Sequence, residues 1–294
     1  MTMGDAVPTV ATLQRRLEDA NYLADDGLAT ALFCAVRLPQ PLLLEGEAGV
    51  GKTEAAKALA SILGTPLIRL QCYEGIDAAE ALYEWNYPRQ LLGIRLAEAA
   101  HASIEAADLF SEEYLVGRPL LQAIRHTGPR PAVLLIDEVD RADDEFEAFL
   151  FEVLAESSVT VPELGTIRAT YPPIVVLTSN RTRDLHDALK RRCLYHWIDY
   201  PSLDRAVAII RRRVPESNTT LATAIAGAVA RLRTLDIQKP PGIAEAINWT
   251  MALDLLGLPV LDEPAVAATL GSVLKYREDI DTARERGLAW VAGS

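Results

Sequence analysis

Eight consecutive residues, Gly46-Glu47-Ala48-Gly49-Val50-Gly51-Lys52-Thr53, constrain this chain more than any other stretch. They fit G-x-x-x-x-G-K-[ST], a loop whose glycines let successive backbone N–H groups turn inward around phosphate oxygens with no Cβ in the way. The flanks agree. Pro41-Leu42-Leu43-Leu44 is an apolar run that predicts a buried strand. Residues 54–63 are strong helix formers, stopped by Gly64 and Pro66. Strand, glycine loop and helix N-terminus in that order bring partial positive charge to a bound phosphate. Lys52 is expected to reach the β- and γ-phosphates of a nucleotide, and Thr53 to offer its hydroxyl to Mg2+. The cofactors expected are therefore ATP and Mg2+.

Further along, Ala132-Val133-Leu134-Leu135-Ile136 is fully apolar and ends in Asp137-Glu138. Many buried strands end in acids, but downstream of a phosphate loop the pattern gains weight. Asp137 is expected to hold Mg2+ through its water shell, and Glu138 to polarise the attacking water as general base. Another strand, Ile174-Val175-Val176-Leu177-Thr178, runs into Ser179-Asn180-Arg181. The Asn180 amide either orients that water or is a plain turn former. A short helix from Asp184 to Lys190 then leads to Arg191-Arg192, which either complements the helix C-terminus or supplies a catalytic arginine.

The remaining pattern alternates strands and helices. Helices are predicted at 9–20 and 25–37, with Leu13, Leu17 and Ala20, then Leu28, Leu32 and Val36, on their inner faces. Between them, residues 21–26 either wall the adenine or merely connect helices. Leu67–Gln71 reads as a strand, and Cys72–Leu92 as a loop or short inserted helix whose aromatics lean towards a contact surface over a mini-core. Helices follow at 93–107 and 117–127. A core-facing helix at 144–156 carries Phe146, Phe149, Leu150, Val153 and Leu154 on one stripe. Val159–Val161 and Thr166–Arg168 form a hairpin, and Tyr195–Tyr200 a fifth strand. After Ser202 only helices are read, at 202–213, 219–235, 243–256, 264–275 and 276–286, with breaks at Pro240–Gly242 and Gly257–Pro259. The expected organisation is an α/β nucleotide-binding domain over 1–201 and a helical domain over 202–294.

Bulk properties narrow the function classes. The chain has 294 residues and a net charge of −12, which opposes general binding to nucleic acid or anionic membrane. The basic run Arg211-Arg212-Arg213 reads as a solvated helix face. Three scattered cysteines suit free thiols in a reducing compartment, and four scattered histidines argue against a protein metal site. Met1–Val7 lacks a leader pattern, and no apolar run approaches a membrane span. The expected location is cytoplasmic.

Phosphate loop, Asp-Glu strand, Asn-ended strand, a following arginine and a helical lid, in that order, resemble the AAA+ ATPases with their five-stranded parallel sheet. The segment after the second strand and the hairpin before the Asn strand resemble the clade of MoxR proteins and magnesium chelatase subunits. The strings Gln-Cys-Tyr-Glu-Gly, Tyr-Glu-Trp-Asn-Tyr-Pro-Arg-Gln and Leu-Lys-Arg-Arg-Cys-Leu-Tyr-His-Trp resemble the branch containing the carbon monoxide dehydrogenase maturation ATPase, the CoxD group. The resemblance implies a ring, usually hexameric, with ATP at subunit interfaces and Arg192 as the finger reaching the neighbour, Arg191 being the fallback. It also implies a chaperone-like remodeller working with a von Willebrand factor A domain partner on a client metalloenzyme. One departure stands out. The arginine the family often carries early in the third lid helix is missing from Lys239-Pro240-Pro241-Gly242-Ile243, so either Lys239 substitutes or the contact is absent.

Two other classes share the core motifs. A nucleic-acid-acting motor or clamp-loader-like switch is opposed by the net charge. A small-molecule kinase or GTPase is opposed by the lack of an N-K-x-D motif and by the Asp137-Glu138 and Asn180 set, which suits attack by water.

Overall fold

The computed structural model describes residues 7–293 apart from 102 and 104. The expected leader-free N-terminus and part of the expected helix at 93–107 lie outside the described residues.

Capped helices and apolar strands alternate through the first two thirds. Helix α1 (Val10–Asp19) and α2 (Asp26–Arg37) precede β1 (Leu42–Gly46). Asp25 caps α2 by accepting from the Leu28 amide at 2.7 Å, a contact worth about 1 kcal/mol. Helix α3 (Lys52–Leu63) follows the glycine loop and leads to β2 (Leu67–Gln71). An excursion then builds α4 (Ala78–Leu82), β3 (Tyr83–Trp85), α5 (Tyr87–Ala99), α6 (Ala106–Leu109), β4 (Leu115–Gly117) and α7 (Pro119–Ile124). The chain returns through β5 (Val133–Asp137), α8 (Asp144–Glu156), the hairpin β6 (Ser158–Val161) and β7 (Gly165–Arg168), β8 (Ile174–Ser179), α9 (Asp187–Lys190) and β9 (Leu194–Ile198).

Five strands form one parallel sheet in the order β2-β5-β8-β1-β9. Register pairs Leu43 with Leu177 on β1 and β8, and Gln71 with Asp137 on β2 and β5. Every residue of β1, β5 and β8 is buried, as parallel strands covered on both faces require. Parallel pairing brings the carboxyl ends of β1, β5 and β8 to the same sheet edge. Open α/β sheets bind ligands beyond that edge. On one face of the sheet, Leu43, Leu134, Ile136 and Leu177 pack with Phe146 and Leu150 of α8.

The excursion contains a short inserted helix, α4, one of the two expected alternatives, and adds a strand pair that neither included. β3 and β4 pair antiparallel, Tyr83 opposite Gly117 and Trp85 opposite Leu115. Trp85 meets Phe110 edge-on at 5.2 Å and Tyr83 at 6.0 Å. Tyr83 and Trp85 are partly buried, while Tyr73 and Tyr87 are exposed, so the stretch both packs inward and offers aromatic surface. A three-residue strand is too short for alternation to announce it. The expected helix at 93–107 instead ends at Ala99, where His101 takes the left-handed φ of 54°.

After Ile198 the strand pattern gives way to helices α10 (Leu203–Arg213), α11 (Thr219–Leu232), α12 (Ile243–Leu255), α13 (Glu263–Val273), α14 (Arg277–Arg286) and α15 (Leu288–Ala292). Asn218 and Asp262 cap α11 and α13. The fully buried Trp249 centres their core, packed with Ile225, Val229, Val266 and Leu270. Its indole N–H donates to Thr269 Oγ1 at 2.7 Å.

By contacts, two units emerge. One takes the described parts of Met1–Arg16, Ala24–Glu45 and Ala56–His196. The other joins Leu17–Leu23 and the loop segment Gly46–Ala55 to the described part of Trp197–Ser294. Among the described residues, no helix is long and apolar enough to cross a membrane.

Candidate active site

The loop after β1 is shaped by glycines and closed by its own lysine. Gly49 and Gly51 adopt φ of 77° and 100°, values open to few residues with a Cβ. The Lys52 ammonium donates to the carbonyls of Gly46 at 2.7 Å and Glu47 at 2.8 Å. Lys52 is only 7% exposed, so its charge is concentrated under the arch of the loop. The Tyr22 hydroxyl donates to the Gly51 carbonyl at 3.3 Å, so the segment before α2 is tied to the loop.

The same loop seats the N-terminus of α12. The Gly49 carbonyl accepts from the amides of Ile243 at 3.1 Å and Ala244 at 3.3 Å. Glu245 turns back to accept from the Gly242 amide at 2.9 Å, capping its own helix. Lys239 does not enter this seat through a side-chain bond. Its amide, with that of Gln238, is held by the buried Asp279 carboxylate at 3.2 and 2.8 Å. Arg233 stacks 3.9 Å over the Tyr200 ring and donates to the Pro241 carbonyl at 2.7 Å. Burial raises the Tyr200 phenol above its ordinary pKa, and the Glu47 charge raises it further.

At the carboxyl end of β5 the structure gathers acids. Asp137 is 3% exposed and accepts from Thr178 Oγ1 on β8. That same hydroxyl accepts from the Glu138 amide at 3.0 Å, which binds the two strand ends together. Glu138 has a left-handed φ of 55°, an uncommon state for a side chain of this size. Its carboxylate lies 3.2 Å from Arg141 Nη1. Beyond β8, the backbone of Asn180 is fixed by Asp140, which accepts from the amides of Asn180 at 3.2 Å and Thr182 at 2.8 Å. The buried Cys72 thiol, next to the end of β2, registers this charge. It is pushed up to about 12, first by burial and then by Asp137, Asp140, Glu138 and Glu147.

The sequence reading missed four residues here. Arg69 donates twice to Asp137 Oδ2, from Nη2 at 2.6 Å and Nε at 3.0 Å. Glu45, buried in β1, accepts from the Tyr195 hydroxyl at 3.0 Å. Asp140 and Thr178 supply the ties just described. The available signal was a charged residue inside an apolar strand, Leu-Leu-Leu-Glu for Glu45 and Leu-Ile-Arg-Leu for Arg69. Arg192 lies outside this acidic group, its guanidinium stacked 3.9 Å over the Phe151 ring of α8. The helix before it is α9, Asp187–Lys190, and does not begin at Asp184.

Each group by itself fits one part of a magnesium nucleotide. A lysine-closed glycine loop suits phosphate, and a buried carboxylate beside a hydroxyl suits a hydrated divalent ion. Among the described residues, no cluster of three or more His, Cys, Asp or Glu side chains could hold a metal unaided.

Residues 41–193 match the AAA domain family, dynein-related subfamily. An uncharacterized protein of Staphylococcus saprophyticus is 24% identical over 271 residues, covering 90% of this chain and 94% of its own length. One from Staphylococcus haemolyticus is 26% identical over 191 residues, covering 63% of this chain; the match spans only 64% of that relative. Among solved structures, a point mutant of Thermotoga maritima RuvB aligns with a TM-score of 0.49 at 18% identity, covering 87% of this chain and 68% of the other. Domain III of the Thermotoga maritima replication initiation protein DnaA aligns at 0.46 and 14% identity, covering 90% and 95%.

Proposed function

Because the chain belongs to the AAA domain family of the dynein-related subfamily, we propose that it binds ATP with Mg2+ and hydrolyses it to ADP and phosphate. The observation that carries this reading is the pair Asp137-Glu138 at the end of β5, in a sheet whose β1 runs directly into the lysine-closed loop. In this reading the loop amides of Gly46–Thr53 hold the phosphates and Lys52 neutralises their β and γ charges. Thr53 and Asp137 hold the hydrated metal. When bound, Mg2+ neutralises charge on the transferring phosphoryl group. Glu138 takes a proton from the attacking water, a contribution of about 10²–10⁴ in rate. Asn180 steadies that water, its backbone fixed by Asp140.

The finer reading is a chaperone-like remodeller of the MoxR type, with residues 202–294 as the lid and Arg192 acting on a neighbour's nucleotide in a hexameric ring. Its output would be the maturation of a client metalloenzyme with a von Willebrand factor A domain partner. The net charge of −12 supports a protein client over nucleic acid. Affinity capture with the Glu138→Gln protein and ATP tests it, since a form arrested before hydrolysis should hold its partners. Recovery of a metalloenzyme supports the reading. Salt-sensitive retention of DNA in place of protein would overturn it.

A further inference from the structure

Arg69 has no place in the hydrolysis scheme, yet it makes a double cationic contact to that scheme's metal carboxylate. It sits on β2, at the edge of the sheet, and reaches across to the neighbouring strand. Both Nη2 and Nε converge on one oxygen of Asp137, while Thr178 takes the other. The same Nη2 also donates to the Gln71 side-chain oxygen. Exposure is unequal: the Asp137 side chain is 4% exposed and that of Arg69 49%. A buried carboxylate is covered from the solvent side by a guanidinium that solvent can receive.

Two physical facts then conflict. A buried carboxylate with no counter-charge is costly, so a nucleotide-free protein needs a cation there. A hydrated divalent ion would need the same oxygens, and two cations repel strongly at this range. Arg69 and the metal therefore compete for one seat. We propose that Arg69 is a resident counter-cation of Asp137, displaced when nucleotide-bound Mg2+ takes the carboxylate, and that it thereby tunes the metal affinity of the site. The inference rests on Asp137 being the metal carboxylate. Arg69 is a positioning residue in this account, acting through Asp137. Displacement is sterically open, because half of its side chain already faces water.

The test uses the full chain with ADP and Mn2+, read by electron paramagnetic resonance, beside melting curves with and without that pair. Arg69→Gln should bind Mn2+ more tightly by on the order of tenfold, with Arg69→Lys in between. Its melting temperature should fall in the ligand-free protein and match wild type in the loaded protein, because a displaced guanidinium contributes nothing there. A structural pair would lower both temperatures alike, and a phosphate-binding arginine would weaken ADP; either result overturns the inference. Asp137→Asn separates the two levels. If it weakens Mn2+ while Arg69→Gln leaves Mn2+ unchanged, only the competition fails. If Asp137→Asn leaves Mn2+ unchanged, the assignment of Asp137 falls and takes the competition with it.

Discussion

Gly242 packs backbone to backbone against Gly49. A Cβ on Gly242 would lie 2.8 Å from the Gly49 Cα, and one on Gly49 would lie 3.2 Å from the Gly242 Cα. The Ile243 and Ala244 amides on the Gly49 carbonyl add main-chain bonds between α12 and the phosphate loop. The seat leaves no room for a Cβ at position 242. Gly242→Ala should therefore push loop and helix apart, weakening ATP about tenfold by calorimetry while the fold persists. Gly271→Ala is the control: nothing stands within 4 Å of its added Cβ, so nucleotide affinity should not change. Helix propensity there should even add up to about 1 kcal/mol.

Glu147 should matter for stability more than its place on a charged helix suggests. It is 1% exposed and accepts from Arg183 and, at 2.9 Å, from the His186 amide. Glu147→Ala strands both donors and should cost about 2–4 kcal/mol in denaturant unfolding. A loss under about 0.5 kcal/mol, the range of an ordinary surface change, would contradict this.

Two thiols should be inert at neutral pH. Burial pushes Cys72 and Cys193 up to about 12 from 9.0, so the native fold favours their protonated forms. The unfolded chain ionises first, so this stability is full below pH 9 and is lost as pH rises from 9 towards 12. Mass spectrometry after iodoacetamide at pH 8 should find both unmodified in native protein and alkylated in denaturant. Cys72→Ala should reduce the alkaline loss of stability.

Arg192 is expected to act in trans. Arg192→Ala and Lys52→Ala subunits, each inactive alone, should regain partial ATPase activity when mixed, because some interfaces then join an intact loop to an intact arginine. A finger of this kind contributes about 10³–10⁵ in rate. Normal hydrolysis by Arg192→Ala alone would pass the role to Arg191, and mixed rings without activity would end the trans assignment.

Much of this molecule was legible in its sequence because its strongest signals are local. Eight contiguous residues specify the loop, and the apolar runs at 133–137 and 174–179 specify strands whatever their neighbours. What could not be read depends on pairing between distant segments. Arg69 meets Asp137 only because β2 lies beside β5, and the sheet order was not in the periodicity. Asp140 drew no notice in the sequence, yet it accepts from amides about forty residues away because β8 ends beside it. The pairing of Tyr83 and Trp85 on β3 with β4, some thirty residues on, was likewise out of reach of local pattern. The Gly242 seat was the reverse case: the lack of an arginine in residues 239–243 was visible, but not the main-chain bonds from Ile243 and Ala244 to Gly49.

The central claim is that this chain hydrolyses ATP with Glu138 as the base. The most direct test measures MgATP affinity and turnover on the same preparations of wild type and Glu138→Gln. The account predicts affinities within a few-fold of each other and a turnover reduced by about 10²–10⁴ in the variant. Turnover within a few-fold of wild type, or wild-type protein that binds no MgATP, would contradict it.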